Sequence, residues 1–405
     1  MEVFWELTDD LHTDGTSRCS FKDTNLSLFF KKGDPTLVSN YRPISSMNTD
    51  CKMYTNLVNS RLSPWAVSLI HKGQKGFIPG HLITDHTRLA AEVVHLSNLT
   101  DTDGHIVSLD QAKAYDRMDL PWLLGVLRAM GIDEDLVCLI SDMVFQCHTR
   151  VRINGAYSRP YPLRQGIRQG DPLSCLLYNF SIEPMGMALR GVLKGVSVLN
   201  LPPVKFIQFA DDMNLFLSME DDLDELSCML RDVSLAISSR FNYDKTDILQ
   251  VGSLWHQSMP LEDQEFEPLL RCFTRAFMLP ASSPLRILGV WVGSPDNAAP
   301  RWKQISSHVG SIIRQWWAIG ASAWNRALLA KALLMSHCYY LLDGNGIPAP
   351  VLRSILQKIL GFVRGQFSMA PYSLMSAPLS EGGLDCPSLA HCKLLVPMTR
   401  SSLQT

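Results

Sequence analysis

Apolar positions along the chain fall into short blocks up to about residue 293 and then recur at helical spacing. "LSLFFKKGDP" (26–35) reads as a strand running into a charged turn. "NYRPIS" (40–45) is held extended by its proline, and a helix is predicted over 49–62. "HIVSLD" (105–110) is a short apolar strand that ends on an acid. "LPWLLGVLRAM" (120–130) is an amphipathic helix with Pro121 near its start and Gly131 just past its end. "TRVRINGAYSRPYPL" (149–163) alternates around Asn154-Gly155, a strong hairpin signal. Gly170-Asp171-Pro172 then opens a helical stretch that runs to Arg190. A hairpin over 204–218, a helix over 221–239 and a strand at "RILGVWVG" (286–293) follow. Beyond Pro300 the spacing is helical and rich in tryptophan (Trp302, Trp316, Trp317, Trp324). The pattern is α+β followed by an all-α unit.

One block breaks its own rule. "VKFIQFADDMNLFLS" (204–218) is apolar on both sides, yet Asp211 and Asp212 stand at its centre. Burying a carboxylate without a partner is expensive. Asp110 ends another apolar strand. If the two strands are neighbours in an antiparallel sheet, three carboxylates converge at one edge. Divalent metal relieves such repulsion, and hard carboxylate oxygens suit Mg²⁺. Two such ions fit phosphoryl transfer. Taken alone, each acid also has a plainer reading: Asp110 as a helix cap, Ala-Asp-Asp as an exposed turn.

Composition narrows the class. The 405 residues are 46% hydrophobic and 19% charged, as in a folded intracellular protein, in nucleus or cytoplasm. No apolar run is long enough to span a membrane, and the acidic N-terminus lacks the basic start of a secretory signal. The ten cysteines are scattered without a C-x-x-C pair, as expected of reduced thiols. The net charge of −2 hides a gradient: residues 201–300 carry 7 basic and 15 acidic residues, residues 301–405 carry 10 and 3. Residues 143–170 hold five arginines (150, 152, 159, 164, 168) and no acid. Ordinary solvated faces account for such asymmetry; contact with a polyanion at two surfaces is the sharper reading.

The motifs decide between these readings, because together they resemble a known family. "SLDQAKAYDRMDLPWL", "GIRQGDPLSCLLYNF", "FADD" and "FNYDKT" stand in the order seen in reverse transcriptases. Upstream, "LFFKKGDPTLVSNYRPISSMNTDCKMYTNLVNSRL" and "HKGQKGFIPGHLITDH" resemble the fingers of the non-LTR (LINE-type) class. Downstream, "RILGV" resembles the primer-grip strand, and "WNRALLAKALLMSHCYY" and "PLSEGGLDCPSL" resemble the thumb and post-thumb region. The resemblance covers roughly residues 25–395.

It implies a right-hand polymerase: fingers and palm with an antiparallel sheet over 26–293, a helical thumb and post-thumb over 294–405, and an irregular segment over 1–25. Asp110, Asp211 and Asp212 become the catalytic and metal-ligating acids, for two Mg²⁺ ions with Mn²⁺ as a substitute. Tyr115 matches the aromatic under the sugar of the incoming nucleotide. Gln169 and Gly170 would lie along that nucleotide, Arg42 at its triphosphate and Lys245 at the leaving pyrophosphate. Leu288 and Gly289 fall in the primer grip. Lys113 and Asp116 carry only local structural roles. The implied activity is RNA-directed DNA polymerisation, with an RNA template, a DNA primer and dNTPs as partners and no membrane. The rivals are a silent remnant that binds nucleic acid and a group II intron-type maturase; "NYRPIS" and "GGLDCPSL" favour the LINE type. No endonuclease, zinc knuckle or RNase H segment accompanies the motifs, as expected of a polymerase region cut from a larger element.

Overall fold

The computed structural model describes residues 19–145, 147–199, 201–256, 273, 277–280, 283–293, 299–318, 320–365 and 375–384. Most of the N-terminal segment, and "GLDCPSL" from Asp385 onward, lie outside the described residues. Two compact units are built on residues 1–83 with 100–278, and on residues 84–99 with 279–405. The boundary expected from sequence was 293/294.

Strand β1 (Asp23–Phe30) pairs antiparallel with β2 (Tyr41–Ser46), with Phe29 opposite Arg42. It pairs parallel with β4 (His148–Ile153), which also carries β5 (Ala156–Tyr157) and β6 (Tyr161–Pro162). Asn154 (φ 49°) and Gly155 (φ 83°) form the expected two-residue turn between β4 and β5. A second sheet contains β3 (Gly104–Leu109), β7 (Phe206–Phe209), β8 (Asp212–Ser218), β9 (Asp247–Val251) and β10 (Phe277–Met278), in the order β10-β9-β3-β8-β7. Its central strands are buried along nearly their whole length, so they read as continuous apolar runs rather than alternations. Helix Ser174–Val192 packs against helices Thr49–Leu69, Leu120–Ala129 and Leu223–Ala236. Leu123, Phe180, Met185, Met213 and Leu215 belong to their common core.

Three sequence expectations change. The helix begun at Thr49 does not stop at Leu62 but runs through Pro64 to Leu69. Its buried stripe of Cys51, Tyr54, Thr55, Val58, Leu62 and Ala66 continues past the proline, and that packing outweighs the lost backbone hydrogen bond. "RILGVWVG" is not one strand but the hairpin β11 (Leu285–Ile287) and β12 (Val290–Val292). Leu288 (φ 50°) and Gly289 (φ 89°) form its turn, and the Tyr340 hydroxyl donates to the Leu288 carbonyl. The arginine run is not uniformly a surface: Arg168 is buried, paired with Asp171 at 2.8 Å, and donates to the Phe21 carbonyl at 2.9 Å. Arg150, Arg152, Arg159 and Arg164 are exposed.

The second unit is mainly helical. Helices Ala299–Trp317, Ala323–Leu329, Ser336–Asn345 and Ala349–Arg364 surround a core that includes Trp302, Val309, Leu342, Ile355 and Phe362. A π-helical turn, Ala330–Met335, joins the second and third of them.

His105, on β3, gives the first unit a pH dependence. Burial holds its imidazole down at about 4, against the opposing pull of Asp103. Between pH 6.5 and about 4 the unfolded chain binds a proton that the folded chain refuses, so stability falls as pH drops through that window. His105→Gln is expected to flatten the dependence of the urea midpoint on pH there. An unchanged slope would exclude His105 as its source.

Candidate active site

The site is built on one end of the second sheet. β3 and β8 are antiparallel, with Leu109 opposite Met213. One rung further along, the same register sets Asp110 opposite Asp212. β7 and β8 close a hairpin with Phe209 opposite Asp212, which leaves Ala210 and Asp211 as its two-residue turn. Ala210 is in the left-handed region (φ 53°), where a methyl group costs about 1 kcal/mol or more. Asp110 therefore shares one sheet end with Asp211 and Asp212, about a hundred positions away in sequence.

Their electrostatics follow from that crowding. Burial first, then repulsion by Asp110, raises the Asp211 carboxyl above its usual range, while Lys31 and Arg42 pull it down. Asp212 opens to solvent at the rim but is flanked by protein; desolvation, then Asp211 and Asp110, push it up to about 6. Among the described residues no three His, Cys, Asp or Glu side chains form a preassembled metal cage. An open carboxylate set is nevertheless what Mg²⁺ accepts, since it keeps waters and takes substrate phosphates as ligands. The mutual repulsion of these acids and their hard oxygen donors fit a divalent ion.

Arg42, exposed on β2, and Lys31, just past the end of β1, both act electrostatically on Asp211. Lys245 lies 3.5 Å from Asp110 in a solvent-exposed ion pair, while the Asn242 amide donates to the Asp110 carbonyl at 2.8 Å. Tyr115 stacks on Tyr178 with ring centroids 4.8 Å apart. Burial, followed by its neighbour Cys175, drives the Tyr115 phenol up, and Asp211 adds a further push. Gln169 does not stand free: its amide donates to Asp116 at 2.8 Å, and its carbonyl accepts from the Ser45 amide at 2.8 Å. Gly170 has φ +107°, and a Cβ there would sit 3.0 Å from the Ser45 carbonyl, so the glycine permits close approach to β2. Leu288 and Gly289 belong to the second unit.

Sequence reasoning missed Lys31, Gln111 and Tyr178. The Tyr178 hydroxyl donates to Gln111 at 2.6 Å and so fixes the ring on which Tyr115 rests. The adjacent lysines of "FFKKGDP" were a usable signal for Lys31: a cation that closes the same hairpin as Arg42.

The family model described as "Reverse transcriptase (RNA-dependent DNA polymerase)" matches residues 30–292. The chain belongs to the reverse transcriptase family. A 149 kDa protein of transposon TX1 from Xenopus laevis is 29% identical over 395 residues, which is 94% of this chain and 29% of that protein. A Pol polyprotein of the type-2 retrotransposable element R2DM from Drosophila melanogaster is 24% identical over 372 residues, 89% of this chain and 33% of its own length. The reverse transcriptase chain thus spans a third or less of these relatives. Telomerase from Candida tropicalis in complex with a fragment of telomeric RNA aligns with a TM-score of 0.48 at 12% identity, over 93% of this chain and 60% of that one. The relatives agree with the non-LTR class read from the motifs, and the observed α+β architecture, with mostly antiparallel strand pairing, is consistent with the expected fold class. Among the described residues no helix is long and apolar enough to cross a membrane.

Proposed function

We propose that this chain is the RNA-directed DNA polymerase region of a non-LTR retroelement, which extends a DNA primer on an RNA template with dNTPs. The observation that carries this reading is the register of β3 against β8, which sets Asp110 level with Asp212 beside the Asp211 turn. In the proposal Asp110, Asp211 and Asp212 hold two Mg²⁺ ions, with Mn²⁺ as a substitute. When bound, these ions supply charge neutralisation and polarised oxygens for nucleotidyl transfer.

The chain's own groups do the rest. Lys31 and Arg42 attract the triphosphate to the acid cluster, the guanidinium fork of Arg42 matching phosphate oxygens. Lys245, paired with Asp110 in the resting protein, is released to meet the departing pyrophosphate. Gln169 and Gly170 line the nucleotide, with Asp116 orienting the Gln169 amide. Leu288 and Gly289 are the proposed primer-grip residues. Catalysis is then mostly positioning and preorganised charge. Residues 26–293 serve as fingers and palm, and 294–405 as thumb and post-thumb. A groove of about 600 Å³ between helices Ala299–Trp317 and Ala349–Arg364 is lined by Arg314, Trp317 and Lys358 among others. Cations beside an exposed aromatic suit a nucleic-acid backbone read through its shape.

The test is primer extension on poly(rA)/oligo(dT) with dTTP and Mg²⁺. Extension supports the reading; none from well-folded protein overturns it in favour of a silent remnant.

Tyr115 is proposed to exclude the 2′-hydroxyl. Its ring is clamped by Tyr178, so it presents a fixed wall. Tyr115→Ala is expected to weaken discrimination between deoxynucleotide and ribonucleotide by roughly 10- to 100-fold, measured as the ratio of kcat/KM for the two. An unchanged ratio removes Tyr115 from sugar selection.

A further inference from the structure

We propose that Gln74 is a positioning residue that holds the strained turn carrying Asp211. β7 is an edge strand of the second sheet, and the segment 73–76 runs along its open side. The Gln208 amide donates to the Gly73 carbonyl at 2.9 Å, and the Lys75 amide donates to the Gln208 carbonyl at 2.9 Å. Between these two bonds the Gln74 side chain turns inward and is almost wholly buried. Its Oε1 accepts from the Ala210 amide at 2.8 Å and from the Gly76 amide at 2.8 Å. Its Nε2 donates to the Ala210 carbonyl at 3.4 Å, an oxygen that also accepts from the Gln208 Nε2 at 3.0 Å.

Both backbone polar groups of Ala210 are therefore occupied by buried glutamines. Ala210 is the residue with positive φ, and Asp211 follows it directly. A backbone held in a sparsely populated conformation persists only where its surroundings determine it. The approach is close: a Cβ on Gly76 would collide with the Ala210 amide nitrogen. Asn179, fully buried in the helix that opens at Ser174, donates to the Gly76 carbonyl and fixes the clamp from behind.

A hydrophobic side chain of similar length at position 74 would leave the Ala210 and Gly76 amides without acceptors. The turn would then relax away from positive φ and carry the Asp211 carboxylate with it. Displacing a reacting group by about 1 Å costs on the order of 10²-fold in rate.

The assignment rests on the polymerase reading for its catalytic consequence but not for its structural one, so two measurements separate them. Hydrogen exchange of the peptide spanning 206–214 tests the clamp directly. Gln74→Met is expected to accelerate exchange of the Ala210 amide at least about tenfold. Unchanged protection in Gln74→Met overturns the clamp. Steady-state primer extension tests its consequence. In Gln74→Met, kcat is expected to fall on the order of 10²-fold, with KM for dTTP and affinity for primer–template unchanged. Unchanged kcat despite faster exchange overturns the positioning role. Absence of extension by the unsubstituted protein counts against the polymerase reading alone and leaves the exchange result standing. If Gln74→Met does not fold, Gln74→Asn, one methylene short of the Ala210 amide, replaces it with the same deciding outcomes.

Discussion

Asp211→Asn is expected to reduce primer extension by at least about 10³-fold, at the upper end of what removal of one preorganised electrostatic group costs, while the protein stays folded. The substitution keeps the size and shape of the side chain but removes the charge that Asp110 and Asp212 face across the end of the sheet. That charge is unfavourable in the resting protein. It is partly desolvated, and a neighbouring acid raises its proton affinity. Asparagine relieves the repulsion, so the thermal unfolding midpoint is expected to hold or rise. The opposed signs are the diagnostic: a site that sacrifices stability to collect anions is organised for a cation that arrives later. Activity retained within tenfold, or a loss that follows unfolding, would exclude Asp211 from the chemistry.

The second large effect lies away from the acids. Arg168→Met is expected to lower the unfolding free energy of the first unit by about 3–5 kcal/mol, the usual consequence of leaving one partner of a buried ion pair uncompensated. Arg168 and Asp171 are 5% and 4% exposed, 2.8 Å apart. Asp171 also accepts the Leu173 amide at 3.0 Å at the entry to helix Ser174–Val192, and Arg168 ties that entry to Phe21. Methionine fills much of the arginine's volume but leaves the carboxylate among groups that cannot solvate it. Urea unfolding followed by circular dichroism measures the change. A loss below about 1 kcal/mol would mean that water reaches Asp171. Asp171 directly follows Gly170, which lies against the Ser45 carbonyl, so under the proposed function nucleotide affinity is expected to weaken with the pair.

What could be read from sequence was local. The strands 26–30 and 105–110 and the hairpin over 204–218 announced themselves because their apolar runs are short and bounded by turn residues. Asp110 and the Ala-Asp-Asp run stood out because charge interrupted those runs, and the order of the motifs supplied the family. The Asn154-Gly155 turn was legible because both residues tolerate positive φ. The Leu288-Gly289 turn was not, since a leucine at φ 50° contradicts its own preference and is fixed by the distant Tyr340. Helix 49–69 outran its expected end because burial on both sides of Pro64 overrides a local breaker. Gln74 was invisible for a different reason. Its partner Ala210 lies 136 positions away, and a glutamine in the polar run "HKGQKG" carries no local mark of burial. Arg168 sat in a run of exposed arginines, and only the packing distinguishes it from them.

The segment beside β7 has a second consequence, for the solubility of the molecule. Phe206–Phe209 is a terminal strand whose sequence, "FIQF", is apolar and uncharged, the kind of exposed ladder along which separate chains adhere. Residues 73–76 occupy its unpaired hydrogen-bonding side. The same few residues that steady a turn also deny this border of the sheet to a second molecule, which ties colloidal behaviour to the loop beneath the acids.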